Sequence, residues 1–329
     1  MAGPVRFGLI GAGHWGKVYL KTLATLEDRC RLTHLCTSKP ENAALAPHPV
    51  TVVMNWHELI SADCDAVIIA TPPHTHAEIL EACLAARKPC LVEKPLCVDL
   101  ATAERLHRQV EASGVPVLVD HTHLFDSAYQ FLKRTVEDVG EPIRVILSEG
   151  MGWGPFRADT PALWDWGPHD VSLCLDLTGK MPQGVHALGG PSGHDGMPEL
   201  LSLRLDFSDG VCAWIHTGRL AEHKRRCLSV MTDTRFYVFN ALAADRLTVR
   251  TIDFVNRYRR PTIDVVEASR VDLGSTQPAL ANLVSYFITG LEGGDRSRFG
   301  TQLSYDVVRV LSTCEDTLRV SRGQPHAVS

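Results

Sequence analysis

Long apolar runs are missing from this sequence of 329 residues. No stretch approaches the roughly 20 uninterrupted apolar residues that a membrane-spanning helix needs. The first apolar run, residues 5–10, begins almost at the initiator methionine and ends in glycines, so it lacks the charged lead and long apolar centre of a secretory signal. We therefore expect a soluble cytoplasmic protein with no membrane partner.

Regularly spaced cysteines are missing as well. The ten cysteines are scattered without a C-x-x-C pair, which argues against a disulfide framework. Two His-x-His pairs, His74 with His76 and His121 with His123, have no Cys or carboxylate partner at a recognisable ligand spacing. We therefore predict no metal site.

A dense basic run is the third absence. The chain has 33 Lys and Arg against 38 Asp and Glu, a net charge of −5. Contacts with a phosphate backbone require a basic surface, so nucleic acid is not an expected partner. The one basic cluster, Lys224, Arg225 and Arg226, is short and is expected at a solvated strand end or turn.

The first 120 residues alternate between strand-like and helix-like segments. Apolar residues recur at helical intervals in the segments 76–86 and 101–112, which separate short apolar runs. The runs predicted as strands are Val5–Ile10, Arg31–Cys36, Asp65–Ala70, Pro89–Val92 and Val115–Val119. This alternation predicts an α/β fold, a doubly wound parallel sheet with helices on both faces, over residues 1–122.

A glycine-rich turn follows the first predicted strand directly. It matches G-x-G-x-x-G, and its candidate cofactor-binding residues are Gly11, Gly13, His14, Trp15 and Gly16. The first glycine permits a tight turn, the second lets the backbone approach a pyrophosphate, and the third allows close helix packing. Because strand, turn and helix coincide, we predict a Rossmann domain that binds a dinucleotide rather than a glycine turn without a ligand.

The end of the second predicted strand bears on the choice of cofactor. A site that prefers NAD usually has an acidic residue about 20 positions after the glycines, whereas this chain has Thr37, Ser38 and Lys39. Two hydroxyls and an ammonium suit a 2′-phosphate, so NADP is slightly favoured over NAD. The alternative is an ordinary polar turn, with nearby Glu41 taking over the ribose contact.

Three further segments resemble the Gfo/Idh/MocA oxidoreductase family. They are Ala70-Thr71-Pro72-Pro73-His74-Thr75-His76, Glu93-Lys94-Pro95 and Asp165-Trp166-Gly167-Pro168-His169-Asp170, in the order of the family. The resemblance implies that Ala70, Thr71, Pro72 and His76 line the cofactor near its nicotinamide. It also implies that Lys94 lies at the reacting hydroxyl of the substrate, with Glu93 beside it, and that Asp165 and His169 occupy the two remaining active-site positions. Glu93 and Lys94 are also candidate cofactor-binding residues.

The implied roles agree with the chemistry of alcohol oxidation. The nicotinamide accepts the hydride, and protein groups must handle the hydroxyl proton. Lys94 is the candidate for the hydroxyl contact, His169 for proton acceptor or relay, and Asp165, four residues earlier on one helix face, for orienting the group. Taken singly, a lysine is usually a solvated surface residue, and a histidine beside a proline often just begins a helix.

Three residues are candidates for substrate contact. His123 falls where the chain enters the second domain, and Arg157 and Trp164 belong to a segment rich in aromatic residues that suits a sugar ring. Tryptophan more often fills a core, and both interpretations of Trp164 stay open.

The second half, residues 123–329, has a different pattern. A helix-like stretch from Leu124 to Glu137 precedes alternating runs, with a hairpin signal at Ser208-Asp209-Gly210 and another turn at residues 232–234. Helices are predicted over residues 277–290 and 303–319. The pattern predicts an α+β domain with an open, mostly antiparallel sheet, and the resemblance implies that this sheet pairs subunits into a homo-oligomer, a dimer or tetramer.

The leading function is an NAD(P)-dependent dehydrogenase or reductase acting on a sugar, sugar derivative or cyclitol. Two alternatives remain on the same fold. One is a glycoside hydrolase that oxidises its sugar only transiently with a bound nicotinamide. The other is a cofactor-sensing regulator without catalysis, against which the presence of Lys94, Asp165 and His169 argues.

Overall fold

Short runs of β-branched residues and leucine form a six-stranded parallel sheet in the computed structural model, which describes residues 3–46, 48–193, 196–259, 269–270, 273 and 277–321. Every strand except the short edge strand is buried along most of its length, as a sheet covered on both faces requires. The strands are β1 (Val5–Ile10), β2 (Cys30–Cys36), β3 (Thr51–Val53), β4 (Ala66–Ile69), β5 (Cys90–Glu93) and β6 (Val117–Asp120), in the order β3-β2-β1-β4-β5-β6. The predicted doubly wound sheet is confirmed, and β3 is a strand that the sequence analysis did not identify.

Helices connect these strands and begin at residues with recognisable capping chemistry. The Asn55 side chain accepts a hydrogen bond from the His57 backbone N–H, and Asp99 does the same for Thr102, so each satisfies an amide at a helix N-terminus. Gly114 ends its helix in the left-handed conformation. The helices are α1 (His14–Ala24), α2 (Trp56–Ser61), α3 (His76–Ala85) and α4 (Leu100–Ser113).

The chain divides into two units, residues 1–125 with 277–308 and residues 126–276 with 309–329. The sequence pattern predicted the whole of 123–329 as the second domain, but α7 (Ala279–Leu291) belongs to the first unit. The reason is tertiary: Phe287 of α7 stacks on Phe7 of β1 with ring centroids 6.2 Å apart, and Arg29 donates to the Ser285 carbonyl oxygen.

An eight-stranded mixed sheet forms the centre of the second unit. All its pairs are antiparallel except β7 with β10, which confirms the predicted mostly antiparallel sheet. The predicted hairpin at residues 208–210 is present, with the Phe207 N–H donating to the Val211 carbonyl. The strands are β7 (Val145–Trp153), β8 (Gly184–Gly189), β9 (Leu200–Asp206), β10 (Cys212–Gly218), β11 (Leu220–Met231), β12 (Arg235–Asn240), β13 (Leu247–Thr251) and β14 (Ser269–Arg270), in the order β14-β13-β12-β11-β7-β10-β9-β8.

One expectation about this sheet was wrong. Residues 224–226 do not form a strand end or turn, because β11 runs from Leu220 to Met231. Arg226 is buried, donates to Asp170 at 3.3 Å and lies over the Trp166 ring at 5.5 Å. A buried carboxylate partner accounts for an arginine inside a strand, and no local sequence pattern announces that partner.

Helices α5 (Ser127–Val139) and α6 (Ala162–Thr178) belong to the second unit, and α8 (Gln302–Ser321) begins in the first unit and ends in the second. None of the helices described here is long and apolar enough to cross a bilayer. Within the same described ranges, no three His, Cys, Asp or Glu side chains are grouped closely enough to hold a metal ion.

Candidate active site

The glycine-rich turn is shaped by contacts that leave no room for side chains at two of its glycines. Gly11 has φ +97°, and a Cβ there would lie 2.5 Å from the Ala70 carbonyl oxygen. A Cβ on Gly16 would lie 2.1 Å from the carbonyl oxygen of Gly11. At Gly13, in contrast, no heavy atom lies within 4 Å of that position, so the space above the turn is open. This arrangement suits a ligand that approaches the backbone closely.

The N-terminus of α1 faces this turn. Gly13 is its N-cap and provides no side-chain hydrogen bond, and His14 is exposed. The first amides of a helix have no partner within the helix, and the helix dipole adds positive potential there. The residues present therefore fit the pyrophosphate of a dinucleotide, which such a terminus binds through backbone N–H groups.

The end of β2 forms a polar turn beside the glycines. The Thr37 hydroxyl accepts a hydrogen bond from the Lys39 N–H at 3.1 Å, which holds the turn. Ser38 and Lys39 are exposed. Asn42 is buried and donates to the Ala12 carbonyl oxygen at 3.2 Å, so this segment is fixed against the glycine-rich turn.

The loop after β4 is held by His76. Its imidazole is fully buried, with Nδ1 2.9 Å from the Pro95 carbonyl oxygen and Nε2 2.9 Å from that of Thr71. Burial lowers the pKa of this histidine. The Thr71 hydroxyl accepts from Thr75 at 2.7 Å, and Pro72 is exposed. His76 thus links the loop after β4 to the segment that follows Lys94.

Glu93 is the last residue of β5 and Lys94 follows it directly; both are buried, with 4% and 7% exposure. On the adjacent strand Asp120 pairs with Glu93 in register and is fully buried. The Tyr19 hydroxyl donates to Asp120 Oδ2 at 2.5 Å, and the Thr122 hydroxyl donates to Oδ1 at 2.5 Å. Two carboxyl groups and a lysine therefore meet at the carboxyl edge of the sheet, where open α/β sheets bind ligands.

Burial raises the pKa of Glu93 well above its usual range, and the negative charge of Asp120 raises it further, while Lys94 acts in the opposite direction. Burial also raises the pKa of Asp120, against the hydrogen bonds from Thr122 and Tyr19 that stabilise its ionised form. The cause common to both groups is burial, which disfavours the charged form of a carboxyl group.

The second unit places Asp165 and His169 on one face of α6, as their spacing of four predicts. His169 is 8% exposed, and Asp165 is half-buried. Arg157 lies on the segment before α6, with its guanidinium 3.7 Å from the Asp165 carboxylate. The structure therefore brings three of the predicted residues together within this unit.

Arg219 is a residue of this cluster that the sequence analysis missed. Its side chain is fully buried directly after β10, and it donates to the Asp165 carboxylate at 3.1 Å and to the Thr160 carbonyl oxygen at 2.7 Å. Its other guanidinium nitrogen is 3.4 Å from Glu199. A fixed arginine fork holds the Asp165 carboxylate in one orientation. The available signal was the position of a lone arginine at the end of a predicted strand.

Asp120 was missed for a different reason, although a signal was present. The predicted strand ended at Val119, and Asp120 follows it as Glu93 follows the preceding predicted strand. Because adjacent parallel strands end at the same edge, their following residues meet. Tyr19 carries no comparable signal, since its place on α1 resembles that of any buried aromatic residue.

Trp164 and His123 complete the predicted set. Trp164 is 2% exposed, and its indole N–H donates to Glu315 at 2.8 Å, as a buried tryptophan with a satisfied polar group does. His123 is half-buried in a short 3-10 helix, Thr122–Phe125, that ends the first segment of the first unit.

Comparison with known proteins identifies related families for both units. A family model described as "Oxidoreductase family, NAD-binding Rossmann fold" matches residues 5–121. A second, described as "GFO/IDH/MocA C-terminal domain", matches residues 153–239. Together the two matches cover more than half of the chain.

Individual relatives are similar over most of their length. The chain is 31% identical to 4-carboxy-2-hydroxymuconate-6-semialdehyde dehydrogenase of Sphingobium sp., over 94% of this chain and 98% of that protein. It is 25% identical to UDP-N-acetylglucosamine 3-dehydrogenase of Acidithiobacillus ferrooxidans, over 87% and 88%. A solved structure of a proposed oxidoreductase from Magnetospirillum magnetotacticum has a TM-score of 0.83 at 37% identity, covering 94% of this chain and 99% of that one.

Proposed function

The chain belongs to the Gfo/Idh/MocA oxidoreductase family, and from that premise we propose that it transfers a hydride between a nicotinamide dinucleotide and a secondary hydroxyl or carbonyl of a sugar, sugar derivative or cyclitol. One observation carries the proposal. The open glycine-rich turn and the buried Lys94 lie at the carboxyl edge of the same parallel sheet, so one unit offers both a dinucleotide cradle and a charged group for the substrate.

The cofactor is assigned to the residues that shape this edge. Gly11, Gly13 and Gly16 give the pyrophosphate access to the first amides of α1, which include those of His14 and Trp15. Ala70, Thr71, Pro72 and Glu93 border the nicotinamide. The bound nicotinamide supplies the site that accepts or donates the hydride. His76 supports this arrangement indirectly, because its buried ring holds two loops rather than facing a ligand.

We assign NADP as the preferred form over NAD. The exposed Ser38 and Lys39 and the absence of an acidic residue at the end of β2 support this choice, because a 2′-phosphate needs donors and positive charge. Thr37 contributes by holding the turn through its hydroxyl. Glu41 is exposed on the following 3-10 helix and is the residue through which an NAD preference would arise.

The substrate's hydroxyl proton is handled by three residues in this proposal. Lys94 contacts the reacting oxygen, His169 accepts the proton during oxidation and returns it during reduction, and Asp165 orients the reacting groups. The buried Arg219 supports the last role, since it holds the Asp165 carboxylate in place. Arg157 and His123 are assigned to substrate contact, whereas Trp164 has a buried ring that donates to Glu315 and is assigned to the core.

The substrate class rests on the relatives. The UDP-N-acetylglucosamine 3-dehydrogenase supports a ring hydroxyl of a sugar derivative. The relative with 31% identity favours a second candidate, a semialdehyde that carries carboxylates. Arg157, 34% exposed in its side chain, would then meet a substrate carboxylate.

The function is tested by denaturing the purified protein, identifying any released nicotinamide, and then following nicotinamide absorbance with sugars, cyclitols and carboxylated semialdehydes. We expect stoichiometric reduction of NADP by one polyol class. Turnover with a semialdehyde alone would make carboxylated semialdehydes, rather than sugars or cyclitols, the substrate class. Bound cofactor without net redox change would favour the transient-oxidation glycoside hydrolase or the sensor, and failure to bind either cofactor would contradict the proposal.

We further propose a cytoplasmic homo-oligomer, a dimer or tetramer, formed through the sheet of the second unit. One face of this sheet carries exposed residues that are neighbours in register: Leu147 pairs with Trp214, and Trp214 with Arg204. Leu147 is 42% exposed, Trp214 is 39% exposed, and Leu188 on β8 is 72% exposed. Exposed apolar residues on one sheet face are typical of an interface.

A further inference from the structure

The carboxyl groups of Glu93 and Asp120 form a buried pair beside Lys94, and the roles proposed above leave the protonation of this pair unassigned. Their residues are neighbours in register on β5 and β6, so both side chains lie on the same sheet face. Both groups are buried, at 4% and 0% exposure. A carboxylate pair in a site without water carries a large electrostatic cost unless one member is protonated.

Asp120 has the partners of an ionised carboxylate. Tyr19 from α1 donates to its Oδ2, and Thr122 donates to its Oδ1, each at 2.5 Å. Glu93 is the register neighbour of Asp120 on the adjacent strand and is buried with it, so a proton on Glu93 lies where it can be shared with Asp120. The backbone N–H of Lys94 donates to Glu93. Two side-chain hydroxyls therefore donate to Asp120 and stabilise its ionised form, so the shared proton belongs on Glu93.

We propose that Glu93 and Asp120 retain one proton between them at neutral pH, and that Asp120, fixed by Tyr19 and Thr122, is a positioning residue for Lys94. The cluster then consists of neutral Glu93, ionised Asp120 and the Lys94 ammonium, with a net charge of zero. Lys94 faces one negative charge rather than two. A single negative charge on the pair balances the ammonium inside the protein, where an uncompensated charge is costly.

The charge balance gives the direction in which the protonation of the carboxyl pair depends on pH. Burial and the charge of Asp120 raise the pKa of Glu93 well above its usual range. As the pH rises through that raised pKa, the pair changes from one negative charge to two. Among the described residues, the other titratable groups that act on the pair are Tyr19 from α1 and Lys94 directly after β5, and burial also raises the pKa of Tyr19. The ionisation above the ordinary glutamate range therefore belongs to the carboxyl pair.

Infrared spectroscopy of the full chain without substrate tests the shared proton. A protonated carboxylic acid has a C=O stretch that is absent from carboxylates, so difference spectra between wild type and variants report its loss. We expect this band at neutral pH in wild type and its loss in both Asp120→Asn and Glu93→Gln. Persistence of the band in Asp120→Asn or in Glu93→Gln would overturn the proposal.

A matched control exists in the second unit. Tyr129 donates to Asp176 at 2.6 Å, a tyrosine–aspartate pair like that of Tyr19 and Asp120, and the Asp176 carboxylate lies 3.8 Å from the Lys133 ammonium. Asp176→Asn should leave the infrared band unchanged. Tyr19→Phe should retain the band. The ionisation of the carboxyl pair should move to higher pH in this variant, because Asp120 loses a donor that stabilises its negative charge. An unchanged midpoint in Tyr19→Phe would remove Tyr19 from the proposal.

The role toward Lys94 rests on the proposed function and is measured separately. In Asp120→Asn we expect kcat to fall roughly tenfold to a hundredfold, the scale of one hydrogen bond to a charged group, with cofactor affinity unchanged. The pH profile of kcat/KM should lose the ionisation assigned to the pair. A pH profile identical to that of wild type would contradict the positioning role. If wild type oxidises nothing, the proposed function fails while the infrared result still decides whether the proton is shared.

Discussion

Lys94 is the residue on which the proposed chemistry depends most directly. Replacing it by Met keeps an unbranched apolar stem in a site that is 7% exposed and removes the ammonium. We expect kcat to fall by about a hundredfold or more, with cofactor affinity nearly unchanged, because loss of a group that handles the reacting proton costs on that scale. Steady-state kinetics and cofactor titration measure the two effects.

A matched variant for this experiment is Lys21→Met, which removes an ammonium from the last turn of α1. It should leave kcat unchanged. Turnover of the Lys94→Met variant at the wild-type rate would remove this lysine from the mechanism.

Lys39 tests the assigned cofactor preference at the scale of one side chain. It is exposed at the end of β2, and its backbone N–H, rather than its ammonium, holds the turn on Thr37. Lys39→Ala should therefore keep the turn and weaken NADP binding by roughly tenfold, the worth of one exposed charge-assisted contact. The Kd for NAD should not change. Equal effects on both cofactors, or none on NADP, would contradict a contact with the 2′-phosphate.

In the turn between β1 and α1, one glycine is expected to matter for cofactor binding alone and another for both binding and stability. A Cβ at Gly16 would collide with the Gly11 carbonyl oxygen, so Gly16→Ala must shift the helix. A Cβ at Gly13 meets nothing within 4 Å and would intrude only on a bound ligand. We expect Gly13→Ala to keep the wild-type Tm and lose cofactor affinity, and Gly16→Ala to lose both. Thermal unfolding and cofactor titration distinguish them, and unchanged affinity in Gly13→Ala would argue against the assigned pyrophosphate site.

The start of α6 depends on the connection between β10 and β11. Arg219 is fully buried there and pairs with Asp165 and Glu199, so Arg219→Met removes a buried guanidinium that two carboxylates share. We expect the free energy of unfolding to fall by about 3 kcal/mol or more. We also expect kcat to fall, because Asp165 loses its orientation.

Arg225→Met is the matched control for Arg219. Its guanidinium is 57% exposed and pairs with Glu149 at 3.0 Å. Exposed pairs contribute little, so its stability should stay within about 0.5 kcal/mol of wild type. Chemical denaturation measures both variants, and an equally small effect of Arg219→Met would show that the buried network does not hold the element.

The oligomer is the prediction that belongs to the whole molecule. Trp214 lies on the exposed sheet face between Leu147 and Arg204. Trp214→Glu places a charge among apolar residues of the proposed interface and should shift sedimentation toward the monomer at equal protein concentration. Lys180→Glu is a control outside this sheet, where an exposed lysine pairs with Asp209. A wild-type monomer, or an unchanged assembly in Trp214→Glu, would contradict the proposed interface.

Local patterns determined much of this protein. Apolar runs of strand length alternating with helical spacing predicted five of the six parallel strands, because a strand covered on both faces must be apolar throughout. The tight turn at Gly11 was predicted because the sequence has glycine at a position where a side chain would not fit. β3 escaped prediction because three half-exposed or exposed residues at a sheet edge leave too short a pattern.

Long-range contacts determined the rest. The assignment of α7 to the first unit depends on Phe287 meeting Phe7, and the burial of Arg226 depends on Asp170. Arg219 and Asp120 became parts of the candidate site only when strands distant in sequence ended beside their partners. Periodicity and turn chemistry act within a few residues and can be read from the chain. The partner of a buried charge is chosen by packing across the fold, so only the tertiary structure decides it.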